Sequence, residues 1–156
     1  MLDLTGSGKI RLNADGRRLE KALRSLSENC AFVGFEGEMT YPDGTKVADV
    51  AAKNEFGDSK TPSRPFMRQA LQKNQSQMTS FIQDVVNAIV DGSETAESGL
   101  DLIGELGEEY IRLSIDEGDF VPNAPSTIAR KKSDKPLIDT GLMRSSVTHK
   151  TGRKKD

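Results

Sequence analysis

The fold is decided by residues 65–90, PFMRQALQKNQSQMTSFIQDVVNAIV, and by residues 96–117, AESGLDLIGELGEEYIRLSIDE. In both stretches the apolar residues recur every three or four positions, which is typical of an amphipathic helix with one buried face. At ~1.5 Å per residue the first helix would span ~39 Å. Because Gly92-Ser93 interrupts the pattern, we predict an antiparallel pair of long helices that packs over a small sheet.

Shorter elements surround these two helices. The patterns predict a helix at about 15–29, a strand at 31–35, a turn at 41–44, short helices at 47–56 and 126–132, and a last strand at 145–150. The fold class is therefore α+β, with a small, mostly antiparallel sheet packed against two long helices and additional short helices. We expect a flexible N-terminal arm at residues 1–11, one α+β domain at 12–150 and a basic disordered tail at 151–156.

Four short strings, each with proline or glycine, lie between the predicted helices or at their ends. They are Asn54-Glu55-Phe56-Gly57, Pro62-Ser63-Arg64-Pro65-Phe66, Pro125-Ser126-Thr127-Ile128 and Pro136-Leu137-Ile138-Asp139-Thr140-Gly141-Leu142. Arg64 precedes a proline, whose ring favours extended backbone before it, and Pro65 suits a first helical turn. Arg64 should therefore stand at the N-terminal end of the first long helix. The residues that we expect to form structural turns and caps are Gly57, Pro62, Pro65, Asp139, Thr140 and Gly141.

In this order, and after the glycine-containing strand Val33-Gly34-Phe35, the strings resemble the small tail-completion proteins of long-tailed bacteriophages, also called minor tail or virion-morphogenesis proteins. The resemblance covers roughly residues 32–150. It implies a structural virion protein without catalytic activity. Such a protein forms a ring at the head-proximal end of the tail or in the neck, completes the tail and supports head–tail joining. The resemblance also implies assembly in the host cytoplasm and a final location in the virion.

The resemblance implies protein partners. These are copies of this chain, in a homo-oligomeric ring with six-fold symmetry or a multiple of it, and other neck and tail proteins such as the tail terminator, tail tube and head-completion proteins. The low hydrophobic share of 35% and the absence of tryptophan also favour a modest core that gains stability by assembly. We expect no cofactor, no metal site, no membrane contact and no nucleic acid except DNA that passes through the ring.

The net charge of −2 conceals a strong separation of charge along the chain. Residues 84–119 carry eleven acids against Arg112 alone, a net charge of −10, whereas residues 126–156 carry nine bases against three acids, a net charge of +6. Opposite surfaces of this kind can meet head to tail between copies of one chain. The candidate assembly interface consists of Arg64, Glu105, Glu108, Glu109, Arg130, Lys131, Lys132 and Arg144. Solvated helix faces with a basic tail, or nucleic-acid binding by the basic C-terminal region, are alternative explanations of the same charges.

Two strings resemble catalytic motifs. Gly6-Ser7-Gly8-Lys9 lacks the earlier glycine and the final Ser or Thr of a phosphate-binding loop, so we interpret it as part of the flexible arm. Asp139-Thr140-Gly141 matches the aspartic-protease motif, and a single copy can serve only in a dimer that brings two carboxylates together. Aspartic proteases consist almost entirely of strands, whereas the periodicity of this chain is mainly helical. We therefore interpret the string as a structural turn or cap. The single histidine, His149, is expected to be an exposed strand residue.

Overall fold

The computed structural model describes residues 2–4 and 10–154, with side chains from residue 12 to residue 154. Its helices are α1 (Ala14–Glu28), α2 (Val47–Phe56), α3 (Phe66–Lys73), α4 (Gln75–Asp91), α5 (Ala96–Glu117), α6 (Pro125–Lys131) and α7 (Leu142–Ser145). Its strands are β1 (Leu2–Leu4), β2 (Ile10–Leu12), β3 (Asn29–Phe35) and β4 (Val147–Arg153). The helices, together with two small antiparallel strand pairs, confirm the predicted α+β class.

The sheet beside α5 joins distant parts of the chain. β3 pairs antiparallel with β4, from Asn29 opposite Arg153 to Phe35 opposite Val147. The predicted turn at residues 41–44 forms, but only an isolated bridge flanks it. β3 therefore pairs with the C-terminal strand and not with a hairpin neighbour.

Both chain ends depart from the expected flexible arm and disordered tail. β1 pairs antiparallel with β2, so the described part of residues 1–11 forms paired strands, while the string at residues 6–9 lies outside the described residues. At the other end, β4 continues through Arg153, and the Lys154 N–H donates to the Glu28 carbonyl oxygen at 2.9 Å. The prediction of a disordered tail is therefore wrong up to residue 154, because β3 supplies partners for this backbone.

The core lies between α5, α3 and the β3–β4 sheet. Its buried apolar side chains are Val47, Ala51, Phe66, Ala70, Ile111, Ile115, Met143 and Val147. Phe66 is fully buried, which stabilises the fold by ~1.5–3 kcal/mol relative to an exposed ring. A Cβ on Gly104 would overlap the ring of His149, and one on Gly107 would lie 2.8 Å from Cγ2 of Val33. The glycines of α5 thus let the sheet approach this helix closely.

The long helix predicted over residues 65–90 is in fact two helices. α3 begins directly after Pro65, as expected, but ends before Asn74, and α4 begins after it. The Asn74 side-chain amide donates to the Ala70 carbonyl oxygen at 2.9 Å. Such local bonds compete with the helical ladder, and the break separates α3 from α4 at this residue.

Candidate functional site

Arg64 holds the chain together at the C-terminal end of α5. Arg64 is buried, with only 6% of its surface exposed. Its Nε donates to the Val121 carbonyl oxygen at 2.7 Å, and a terminal nitrogen donates to Pro122 O at 3.1 Å and Asn123 Oδ1 at 3.3 Å. Burial lowers the pKa of Arg64. Arg64 does stand at the N-terminal end of α3, as predicted. Its side chain is not exposed for assembly, however, because these neutral acceptors hold it within its own chain.

Two asparagines extend this cluster of hydrogen bonds. The Arg64 N–H donates to the Asn54 carbonyl oxygen at 2.6 Å, which ties the Pro62–Phe66 string to the Asn54–Gly57 string. The Asn123 side-chain amide donates to the carbonyl oxygen of Lys135 at 3.1 Å, directly before the Pro136 string. Asn123 also lies two residues before α6, which begins the remaining string. All four strings therefore meet around one cluster.

Glu55 links two of the strings by capping a helix. It is a buried residue, and its carboxylate accepts the Met67 N–H at 2.9 Å and the Arg68 N–H at 3.3 Å at the start of α3. The same carboxylate pairs with Arg68 Nε at 2.9 Å. A carboxylate in this place satisfies amides that have no partner within the helix and faces the positive end of its dipole. The motifs alone did not indicate this role for Glu55, although an acid near a helix start marked by proline is a usable signal.

The predicted turn residues around this cap form the expected geometry. Gly57 ends α2 with φ of 74°, and its N–H donates to Lys53 O at 2.8 Å, which confirms the predicted cap. A Cβ at Gly57 would lie 2.8 Å from the Ser63 nitrogen, so a side chain would separate the two strings. Pro62 is exposed beside them, and Pro65 precedes the first residue of α3.

The Asp139-Thr140-Gly141 string begins a helix. Gly141 has φ of 81° and is the N-cap of α7, and Thr140 Oγ1 accepts the Leu142 N–H at 3.3 Å. The prediction of a structural turn is thus confirmed for Thr140 and Gly141. Asp139 is exposed instead, and its carboxylate faces a cleft.

That cleft, which we call the basic cleft, has a volume of about 670 Å³. It is lined by Tyr41, Asp43, Thr45, Val50, Asn54, Lys60, Thr61, Pro62, Arg64, Pro122, Asn123, Ala124, Thr127, Arg130, Lys131, Leu137, Asp139 and Met143. Four cations and two carboxylates among these residues leave a net charge of +2. The volume lies within the range of about 300–1,000 Å³ that is typical of binding sites.

The electrostatics of the basic cleft favour an incoming anion. Burial lowers the pKa of Lys131, and the charges of Arg64 and Arg130 lower it further against the opposing effect of Asp139. Burial, followed by the charges of Asp139 and Asp43, raises the pKa of Tyr41. The cations thus repel one another, and an added negative group relieves this repulsion.

The structure divides the residues of the expected assembly interface. Glu105, Glu109, Arg130 and Lys132 are exposed, and Lys131 is half-buried at the cleft. These residues lie on two separate regions, because Glu105 and Glu109 are in the middle of α5 and the bases are on or next to α6.

The remaining interface candidates are engaged within the chain. Arg144 is exposed but pairs with Asp116 at 2.7 Å. Glu108 binds Arg112 and His149, and its side chain is 14% exposed, so its assignment to an assembly surface is wrong. The helical periodicity of α5 did not reveal the burial of Glu108, because this burial depends on which strand packs against the helix.

His149 is held between two carboxylates, so the prediction of an exposed residue is wrong. Its Nδ1 lies 2.6 Å from Glu108 Oε1, and its Nε2 lies 3.0 Å from Asp101 Oδ1. The hydrogen bonds to Asp101 and Glu108 raise the pKa of His149. Burial raises the pKa of Glu108, but hydrogen bonds from His149 and Arg112 outweigh it and leave that pKa below its ordinary value. The two acids are seven residues apart on α5, a spacing that places them on one face.

The described side chains offer no assembled catalytic set. Both ring nitrogens of His149 face carboxylates, and within residues 12–154 no serine or cysteine hydrogen-bonds to it. In that same part of the chain, no group of three His, Cys, Asp or Glu side chains is placed to hold a metal ion. None of the described helices combines the length and the apolar character that crossing a membrane requires.

Comparisons with known proteins identify no relative. No family model matches the chain, and neither a curated protein nor a solved structure matches it.

Proposed function

We propose that this chain is a structural protein without catalytic activity that assembles with copies of itself, as a ring at the head-proximal end of the tail or in the neck of a long-tailed phage. The observation that carries the proposal is the convergence of the four strings on one cleft. Hydrogen bonds from Arg64 and Asn123, and the cap formed by Glu55, hold these strings in contact. The strings that resemble tail-completion proteins therefore build a shaped, charged surface suited to docking.

The distribution of charge supports assembly through unlike surfaces. The exposed acids Glu105 and Glu109 lie in the middle of α5, whereas the exposed bases Arg130 and Lys132 lie on or next to α6, near the basic cleft. Complementary potentials of this kind guide association and fix the orientation of the partners. In the proposed role, the ring completes the tail and then contacts other neck and tail proteins.

The proposal is tested by the oligomeric state of the purified full chain. Sedimentation velocity and negative-stain electron microscopy should show rings, and Arg130→Glu with Lys131→Glu should weaken self-association without unfolding the monomer. The matched control is Lys21→Glu with Arg24→Glu, which reverses two exposed charges on α1. A wild-type chain that stays monomeric at high concentration contradicts the proposal, as does equal weakening by both variants.

Two other functions predict different outcomes for the same material. A nucleic-acid-binding module would bind duplex DNA with an affinity that falls steeply with salt. A dimeric aspartic protease would cleave peptides at acidic pH, and Asp139→Asn would abolish the cleavage.

A further inference from the structure

The length of α5 separates the α4–α5 turn from the basic cleft. The helix has 22 residues, which corresponds to a length of about 33 Å. Its N-terminal end follows the turn from α4, whereas its C-terminal end leads to Val121, Pro122 and Asn123, the acceptors of Arg64 at the basic cleft. Any group on the α4–α5 turn is therefore too distant to reach the basic cleft of its own chain.

The α4–α5 turn presents carboxylates in a defined shape. We call Asp91, Glu94 and Glu97 the acidic tip. Asp91 Oδ1 accepts the Ser93 N–H at 2.9 Å, and Thr95 Oγ1 caps α5 by accepting the Ser98 N–H at 3.1 Å. Arg18 reaches the same turn, so these three acids and one base leave a net charge of −2. The turn is thus a preformed acidic projection.

The cations of the basic cleft outnumber its carboxylates. Arg64 is buried, and its side chain bonds only to neutral oxygens within residues 12–154. The rim adds Lys60, Arg130 and Lys131, against Asp43 and Asp139. A buried guanidinium without a carboxylate partner leaves a positive potential that an acidic segment can neutralise.

We propose that the acidic tip of one copy docks into the basic cleft of the next, with Glu94 and Glu97 facing Lys60, Arg130 and Lys131. The net charges of −2 and +2 match, and the partner is a second copy of this chain. This inference rests on the proposed function, since it names the two surfaces through which that self-assembly occurs.

The contact joins two different surfaces, so it is heterologous. Every added copy leaves one acidic tip and one basic cleft unoccupied. Growth therefore continues until the rotation between neighbours closes a ring. This property separates the proposed contact from a two-fold dimer, in which the same surface is used twice.

Two neutralising variants test this head-to-tail arrangement. The tip variant is Glu94→Gln with Glu97→Gln, and the cleft variant is Arg130→Gln with Lys131→Gln. Each variant alone should self-associate at least about tenfold more weakly than the wild type. An equimolar mixture should form a one-to-one dimer and nothing larger, because one intact tip meets one intact cleft. Sedimentation velocity and native mass spectrometry measure these species, and circular dichroism checks that each variant is folded.

Matched controls remove the same charges elsewhere. Glu20→Gln with Glu28→Gln neutralises two exposed acids of α1, and Lys150→Gln with Lys154→Gln neutralises exposed bases of β4 and the residue after it. Both controls should assemble like the wild type.

Each contrary result overturns the inference in a recognisable way. If the wild type forms rings and the tip variant does so equally well, the tip-to-cleft contact is wrong while the proposed function stands. A mixture that stays monomeric, or that grows beyond two copies, also contradicts it. If the cleft variant loses only salt-dependent binding to a DNA duplex, the occupant is a polyphosphate backbone and not a second copy. A monomeric wild type refutes the proposed function itself.

Discussion

Replacement of Arg64 by lysine tests whether the guanidinium fork, and not only its charge, holds the site together. Arg64 donates to Val121 O at 2.7 Å and to Pro122 O at 3.1 Å, with longer bonds to two asparagines. Hydrogen bonds from a charged group each contribute about 1.5–3 kcal/mol. A lysine ammonium can remake one of the two short bonds, so Arg64→Lys should lower the free energy of unfolding by about 2–3 kcal/mol.

For a chain of this size, that loss corresponds to a fall in Tm of about 4–12 °C. Urea unfolding followed by circular dichroism measures the free energy, and calorimetry measures Tm. The matched control is Arg68→Lys, because Arg68 is 57% exposed and its ion pair with Glu55 should contribute less than about 1 kcal/mol. The reasoning is refuted if Arg64→Lys loses less than about 1 kcal/mol, or no more than Arg68→Lys.

Three further predictions concern the helix cap, the histidine and the central helix. Glu55→Gln should lower the free energy of unfolding, measured with urea, by about 1–2 kcal/mol, because an amide replaces the carboxylate that caps α3. An equal loss in Arg68→Gln would mean that only the ion pair matters. Folding raises the pKa of His149, so its stabilisation is full below a pH of about 6.5 and is lost as the pH rises through the raised value. The wild-type urea midpoint should therefore fall as the pH rises above about 6.5, and His149→Gln should remove that fall. An unchanged slope contradicts the role of the pair of carboxylates. Gly104→Ala should destabilise the chain despite a gain in helix propensity of up to ~1 kcal/mol, unlike Gly37→Ala, whose Cβ meets nothing within 4 Å.

Much of the helical structure follows from local patterns. The predicted helices at residues 47–56 and 96–117 match α2 and α5 because each has a marked start or end and an apolar stripe. The prediction fails at Asn74, where a single side chain bonds to the preceding turn and ends α3. It also fails at the C-terminus, where the basic composition suggested a disordered tail. Composition does not reveal that this segment pairs with β3.

The candidate site was only partly visible in the sequence. The strings identified the turn residues Gly57 and Gly141, whose positive φ favours glycine, and Thr140, whose hydroxyl accepts a nearby backbone N–H. The burial of Arg64 and Glu108 could not be read in this way. Charged side chains are usually exposed, and only the tertiary contacts show which of them acquire buried hydrogen-bond partners.

The amino-acid pattern was enough to predict the α+β class, the main helices and the separation of acidic from basic segments, because these depend on periodicity and on neighbouring residues. The folded chain alone reveals that the four strings surround one basic cleft, that His149 lies between Asp101 and Glu108, and that the acidic tip and the basic cleft lie at opposite ends of α5. These arrangements depend on contacts between residues far apart in the chain. Local backbone preferences do not specify such contacts, which are set by the packing of the whole core.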